Sequence, residues 1–562
     1  MVWWRSLPRA MADLREGLLA PRGASEGDDD DSAVLDDPNG DDATGATPWT
    51  AAATATISLT MTAVGSVVLS LPATFAECGW LAGTCVLALV ALLVDASLLF
   101  VVYAARSARA RSYEEAARAL LGPTGGACVE VALIALVYGS LVSLQIIVAD
   151  QVQPVVREVL ASHGSRDGSH EVSGWYAVVG ERWFITCVSL AFVYPMTLAR
   201  SLTALASATT AAFFVLLFVA GALVSELAKK DWIPAPDVVA IETSRGATPC
   251  ALALPVVAMA YACHFNVVAV DRELPATRRG KACAANVIHA SVLSGAFPFY
   301  VLFAVVGYLQ FGRDVSGDVL TEWSGGNENG VMTAAQLAVA GVNALKYPLM
   351  GFSLKRAVNE KLARLWRLTR FADHADRDDD SYDDEAFLEG NARSQPIRTD
   401  DRSAPFWAEA TAGLLLHVSV AACALSAGSL QLAVDIVGSC CGVPVMFVVP
   451  GLMFLAAFER GDASGAWVGS RDDESSVYDH AGSDDDGHHA GADRECFARE
   501  YFGEGLEWAA RWERDARGRL VARPRPVMAA LAWTLVAVGS VVAATGLAGI
   551  AYELASGTAP AK

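Results

Sequence analysis

What most constrains this chain is a succession of apolar segments, each about as long as a bilayer is thick. About 20 consecutive apolar residues cross the hydrocarbon core as a helix. By that measure roughly eleven spans can be drawn: 51–76, 82–104, 125–150, 183–199, 205–227, 249–270, 285–310, 332–354, 407–427, 430–457 and 527–553. The fourth and ninth are short or interrupted. Backbone polar groups in lipid need partners within their own segment, which leaves helices and closed barrels. Segments of this length and apolarity predict helices, hence an all-α membrane protein.

Composition agrees once its acid is located. The chain has 562 residues, 53% hydrophobic, and a net charge of −20. Most of the acid lies in GDDDDSAVLDDPNGDD, DHADRDDDSYDDEAF and RDDESSVYDHAGSDDDGHH. Such blocks bury too little apolar surface to fold alone and are expected to be disordered. The expected organisation is an acidic cytosolic tail at 1–49 and a transmembrane core at 50–457, interrupted by an acidic loop at about 371–406. A second acidic loop follows at 458–526, then a last helix and short end at 527–562. The first twenty residues lack an apolar stretch long enough for a secretory leader. With the N-terminus cytosolic, 33 of the 42 Lys and Arg fall on the inside, 8 outside and Lys346 within a span. This bias sets orientation.

No nucleotide-binding loop, catalytic triad or basic nucleic-acid surface occurs, so neither an enzyme nor a nucleic-acid binder is expected. Eleven cysteines show no zinc spacing. Cys78 and Cys85 flank a proposed outer loop; a pair and two free thiols are both open. Cytosolic protein partners are conceivable through the acidic loops.

Two spans are broken. The first reads TATISLTMTAVGSVVLSLPATFAECGW, interrupted at Gly65 and Pro72. The sixth has Pro255 early and then AMAYACHFNVV, placing Cys263, His264 and Asn266 at membrane depth. Broken backbone is tolerated there only when it is buried in protein or lines a cavity. Exposed amides at a half-helix N-terminus suit a carboxylate, and freed carbonyls suit a cation or an ammonium.

The passage ALALPVVAMAYACHFNVVAVDRELPATRRGKACAANVIHASVLSGAFPFYVLFAVVGYLQFG resembles the sixth and seventh helices of the amino acid/auxin permease family, closest to its sodium-coupled neutral amino acid transporter branch. The pattern is Pro255, Cys263-His264, Arg272-Glu273-Leu274 and a basic RRGK. GSVVLSLPATFAECGW resembles the first helix, SYEEAARALLGPTGG the first cytosolic loop, and DIVGSCCGVPVMFVVPGLMFL the tenth helix.

The resemblance implies a LeuT-like fold of about eleven helices: a five-plus-five inverted repeat and one extra. It implies symport of a small L-amino acid with Na⁺ or H⁺ by alternating access, with no organic cofactor. The substrate carboxylate would meet amides near Val64, Gly65, Ser66 and Val67, and its ammonium the carbonyls around Ala260, Tyr261 and Ala262. Cys263, His264 and Asn266 would lie at or beside the unwound part, facing a cavity. His264 reads equally as a residue that bonds backbone and holds the broken helix together. Arg272 and Glu273 would form a gate or a surface ion pair.

The chain departs from the family at the sodium site. Where many sodium-coupled members have an Asn, four residues before the first-helix Gly, this chain has Met61. Where they place a hydroxyl before a Pro of the eighth helix, GVNALKYPLMGF has Lys346. Thioether and ammonium are poor sodium ligands, so Lys346 is expected to replace the ion, as a fixed cation or as a proton site. Met61, Asn343, Lys346 and the intramembrane Asp95 are the candidate coupling residues. The function expected is transport of small neutral L-amino acids, proton-coupled or sodium-independent, in the plasma membrane or a vacuolar or endolysosomal membrane. The alternative is an amino-acid sensor that signals through cytosolic segments.

Overall fold

The computed structural model describes residues 48–164, 178–197, 207–243, 248–275, 278–323, 330–375, 406–427, 429–464, 510–514 and 520–556. The three acidic blocks fall almost wholly outside these residues, as does the expectation of disorder attached to them. Apart from one two-stranded hairpin, the described elements are helical.

The first expected span is two helices. α1 (Pro48–Ala63) ends before an extended Gly65, a 3₁₀ turn covers Ser66–Ser70, and α2 runs Leu71–Cys78 with Pro72 in its first turn. The two halves are bent by 51°. Proline is pre-organised for a helix start, where its missing N–H costs nothing. α3 (Trp80–Ser107) follows Gly79, whose φ of 86° and whose approach to the Ala240 carbonyl leave no room for a Cβ. α4 spans Tyr113–Gly164 across a kink at Gly122, and α5 (Arg182–Thr197) and α6 (Ser207–Lys229) come next.

The sixth expected span is three pieces: α7 (Thr248–Leu252), α8 (Leu254–Ala260) and α9 (His264–Glu273). α10 (Arg278–His289) runs through a π-helical segment at Ala290–Ala296 into α11 (Phe297–Phe311). α12 spans Gly330–Ala375 and α13 Phe406–Ser426. α14 (Leu430–Val437) continues through two π segments, Gly438–Gly442 and Pro444–Val448, into α15 (Val449–Ser464). β1 (Ala510–Arg514) pairs antiparallel with β2 (Leu520–Pro524), and α16 covers Pro526–Ser556. The hairpin lies within the stretch expected to be an acidic loop.

Seven helical stretches among the described residues are long and apolar enough to cross a membrane, eight with the bent pair α1–α2. α5, with 16 residues, and the Ala410–Ser426 part of α13 fall below that length. α12 is long, but Gln336, Asn343 and Lys346 dilute its apolar stretch.

α4 is the central helix, packed against α12, α13, α14 and α15. α3 meets α15 through aromatic rings, Phe100 stacking on Phe454 with centroids 4.0 Å apart and Tyr103 against Phe458. Cys78, at the end of α2, is disulfide-bonded to Cys250 of α7, while Cys85 is a free thiol. The open question of a Cys78–Cys85 pair is thus settled against it: the partner comes from the other broken span. The segment after α6 lies over the same end, with Glu242 N donating to Cys78 O at 2.9 Å and Glu242 paired to Arg313.

Candidate functional site

Both breaks open onto one cavity of about 1040 Å³. Met61, Ala63, Gly65 and Val67 line it from the first break, and Ala260, Ala262 and Asn266 from the second. α4 supplies apolar wall from Leu133 to Leu144, and α12 supplies Lys346 and Met350. The cavity runs on to Ser112, Glu114, Glu115 and Arg118, at the connection between α3 and α4.

The chemistry of the breaks follows from helix ends. The first amides of a helix and the last carbonyls lack intrahelical partners. At the first break the 3₁₀ turn starting at Ser66 presents such amides beside Gly65, and α1 ends in the Ala63 carbonyl. At the second, α8 ends in the Ala260 carbonyl and α9 begins at His264. The Tyr300 hydroxyl of α11 lies 2.7 Å from Ala63 O and 2.5 Å from Ala260 O. A phenol between the two helix ends was not foreseen; nothing in FPFYVLF distinguishes it from packing.

The expected contact residues divide. Met61, Gly65, Val67, Ala260, Ala262 and Asn266 line the cavity, and the backbone of Ser66 sits at the turn between them. Val64 is buried outside the wall. Tyr261 is buried too, its ring edge-on to Tyr300 at 4.9 Å. Cys263 is fully buried.

His264 turns away from the cavity. Its Nε2 is 2.6 Å from the Ser97 hydroxyl of α3, and that hydroxyl donates to Val94 O at 2.8 Å. The Ser97 hydroxyl thus bridges the His264 ring nitrogen and the Val94 carbonyl. The imidazole fastens α9 to α3. The partner is a side chain on another helix, where the sequence reading expected a backbone group.

Among the coupling candidates, Lys346 and Met61 face the cavity, while Asn343 is buried and is not a wall residue. Lys346 makes no ion pair or hydrogen bond among the described residues. Asp95 pairs with His289, at the end of α10, at 2.8 Å. Arg272 and Glu273, the expected gate pair, are exposed; the ion pair at that helix end is Arg106 with Asp271. No cluster of three or more metal-ligating side chains occurs among the described residues.

A family model described as "Transmembrane amino acid transporter protein" matches residues 49–471. "Amino acid transporter AVT6B" of Arabidopsis thaliana is 27% identical over 275 residues, 48% of this chain and 58% of that protein. "Amino acid transporter AVT6E" of the same plant is 26% identical over 321 residues, covering 55% and 63%. Human "Solute carrier family 38 member 10" is 24% identical over 307 residues, covering 53% and 25%. The matches span less than two thirds of each relative's length.

Proposed function

The chain belongs to the transmembrane amino acid transporter family, and on that footing we propose that it carries a small neutral L-amino acid across a membrane by alternating access. The family and these relatives are transporters, not enzymes. One observation carries the reading: two helices broken at membrane depth contribute the walls of the same cavity. Amides beside Gly65 receive the carboxylate, and carbonyls near Ala260 and Ala262 receive the ammonium, as expected of half-helix ends. Small residues at both breaks leave space for backbone atoms of the ligand, and Met61, Met350 and the α4 wall take an apolar side chain.

The reading extends to a LeuT-like arrangement of about eleven helices in which α1–α2 and α7–α9 are equivalent broken spans. It extends to coupling. Lys346 supplies a permanent charge where a sodium ion would otherwise sit, so transport is sodium-independent and driven by protons. The N-terminus lies in the cytosol, as the Lys and Arg distribution favours. The Cys78–Cys250 bond then falls on the outer or lumenal side, where disulfides persist, and the cavity mouth at Glu114 and Glu115 faces the cytosol.

The test is uptake of labelled neutral amino acids by proteoliposomes, with pH and Na⁺ gradients imposed separately. Saturable uptake that follows the pH gradient and ignores sodium is expected. Saturable binding with no flux would replace this reading with a sensor.

A further inference from the structure

We propose that the Asp95–His289 pair is the site that carries the coupling proton. The inference rests on the transporter reading above and adds residues and a route to it.

Asp95 lies near the middle of α3, about 22 Å from Trp80 and about 18 Å from Ser107 at 1.5 Å per residue. It is 7% exposed, and its Oδ1 meets His289 Nδ1 at 2.8 Å. A carboxylate at that depth is expensive, and an ionisable group inside a span marks an ion or proton path by default. Stability does not account for it, because apolar residues of similar volume hold buried helices together as well as an ion pair does. The His289 side chain is 46% exposed, so the pair lies at the surface of the helix bundle and not in its packed interior.

His289 is also the residue at which the helix changes form. The π segment begins at the next position, Ala290, and π segments recur at functional sites. This segment rests on α1. Ser291 Oγ lies 3.1 Å from Thr56 O and 2.7 Å from Val287 O, and a Cβ on Gly295 would come within 2.8 Å of Thr60. α1 ends three residues after Thr60, at the first break. A change of charge at His289 therefore bears on the helix whose end lines the cavity.

Few other charges face the pair. α9 brings His264, fixed to Ser97 two positions along α3. On α3 itself the next charge is Arg106, already held by Asp271. Glu77 of α2 lies in the last turn of its helix. A proton taken up by the pair forms an O–H bond on the Asp95 carboxylate, weakens its contact with His289 and adds one positive charge. Release of that proton on the other side restores the pair. Each zwitterion then moves with one positive charge.

The full chain in proteoliposomes, loaded with a pH-sensitive dye and given labelled L-alanine or L-glutamine, tests this. Wild type should move protons with the amino acid. Asp95→Asn and His289→Gln should each lower protons moved per amino acid at least tenfold and abolish accumulation driven by a pH gradient, with exchange at equal pH as the reference. His289→Gln keeps a hydrogen-bonding group on a half-exposed residue and serves where Asp95→Asn does not fold. A wild-type proton ratio in either variant overturns the proposal. Wild-type exchange without proton movement overturns it alone; no exchange at all overturns the transporter reading with it.

Discussion

Arg106 and Asp271 meet in a two-point ion pair that joins the end of α3 to the end of α9. Arg106 Nε donates to Oδ2 at 3.0 Å and Nη2 to Oδ1 at 2.5 Å, and each side chain is 9% exposed. Nη2 also donates to Lys281 O at 3.0 Å, and Lys281 Nζ donates back to Asp271 O at 2.7 Å, drawing in α10. Removing one partner of such a pair strands the other charge, at a cost of about 3–5 kcal/mol. Asp271→Ala should therefore lower the melting temperature of the detergent-solubilised protein by several degrees. Glu273→Ala, two residues on and exposed, should stay within about 0.5 kcal/mol of wild type. Equal melting of the two variants would show that the pair does not fasten these helices.

Tyr300 holds two helix ends with one hydroxyl. A phenol has a single proton, so it donates to one of the Ala63 and Ala260 carbonyls at a time. The other carbonyl keeps acceptor capacity, which suits an ammonium nearby. Tyr300→Phe removes the shared donor at a residue with no solvent exposure. A buried acceptor left unmatched costs about 1–3 kcal/mol. The variant should melt lower than wild type and bind amino acid more weakly, read by how far a saturating neutral amino acid raises its melting temperature. An unchanged ligand-induced rise would separate Tyr300 from substrate binding.

Asp318 gives the protein a pH-dependent joint outside the spans. It is 4% exposed, accepts from Gln151 Nε2 at 2.6 Å and from Leu320 N at 3.0 Å, and so ties the turn at Val319–Trp323 to α4. Burial, reinforced by the charge of Asp150, pushes its carboxyl up to about 7 from 3.8. Below 3.8 both folded and unfolded chains hold this proton. Between 3.8 and about 7 only the folded chain does, so this contribution to stability falls as pH rises through that window and levels off above it. Asp318→Asn should flatten the melting profile between about pH 4 and pH 7 and make the protein more stable than wild type at pH 8. A variant that keeps the wild-type slope would assign the pH dependence elsewhere.

The two breaks were legible because glycine, proline and polar residues interrupt apolar runs where lipid forbids loose backbone. α3 and α16 were legible from length and apolarity alone. Partners were not. Ser97 meets His264 across 167 positions, Asp95 meets His289 across 194, and Tyr113 donates to Val445 O across 332. Local patterning carries no information at those separations. The gate shows a finer limit. Asp271, Arg272 and Glu273 all read as charges at one helix end, but successive side chains turn by about 100°, and only packing decides that Asp271 points inward. The disulfide escaped for the same reason: Cys85 is near Cys78 in sequence, and Cys250 is 172 positions away. The hairpin lay hidden because ARWER and LVARP are short and rich in arginine, with little apolar alternation to mark them as strands.

Lys346 stands on the cavity wall, at the position proposed to replace a sodium ion. An ammonium facing the same space as Met61 and Gly65 attracts a carboxylate and repels a cation. If it replaces a bound ion, its removal should act on transport more than on folding, since the residue is only partly buried and holds no partner among the described residues. Lys346→Ala should cut uptake at saturating pH gradient by about tenfold, the equivalent of about 1.4 kcal/mol of lost interaction. Lys346→Arg, which keeps the charge, should recover part of it. Met61→Asn combined with Lys346→Thr supplies two oxygen ligands in place of a thioether and an ammonium, and should make uptake respond to sodium. The measurement is initial uptake rate against Na⁺ at fixed pH, for wild type and the three variants. Uptake by Lys346→Ala with wild-type rate and unchanged pH and sodium dependence would remove Lys346 from the coupling site and leave it as a wall residue.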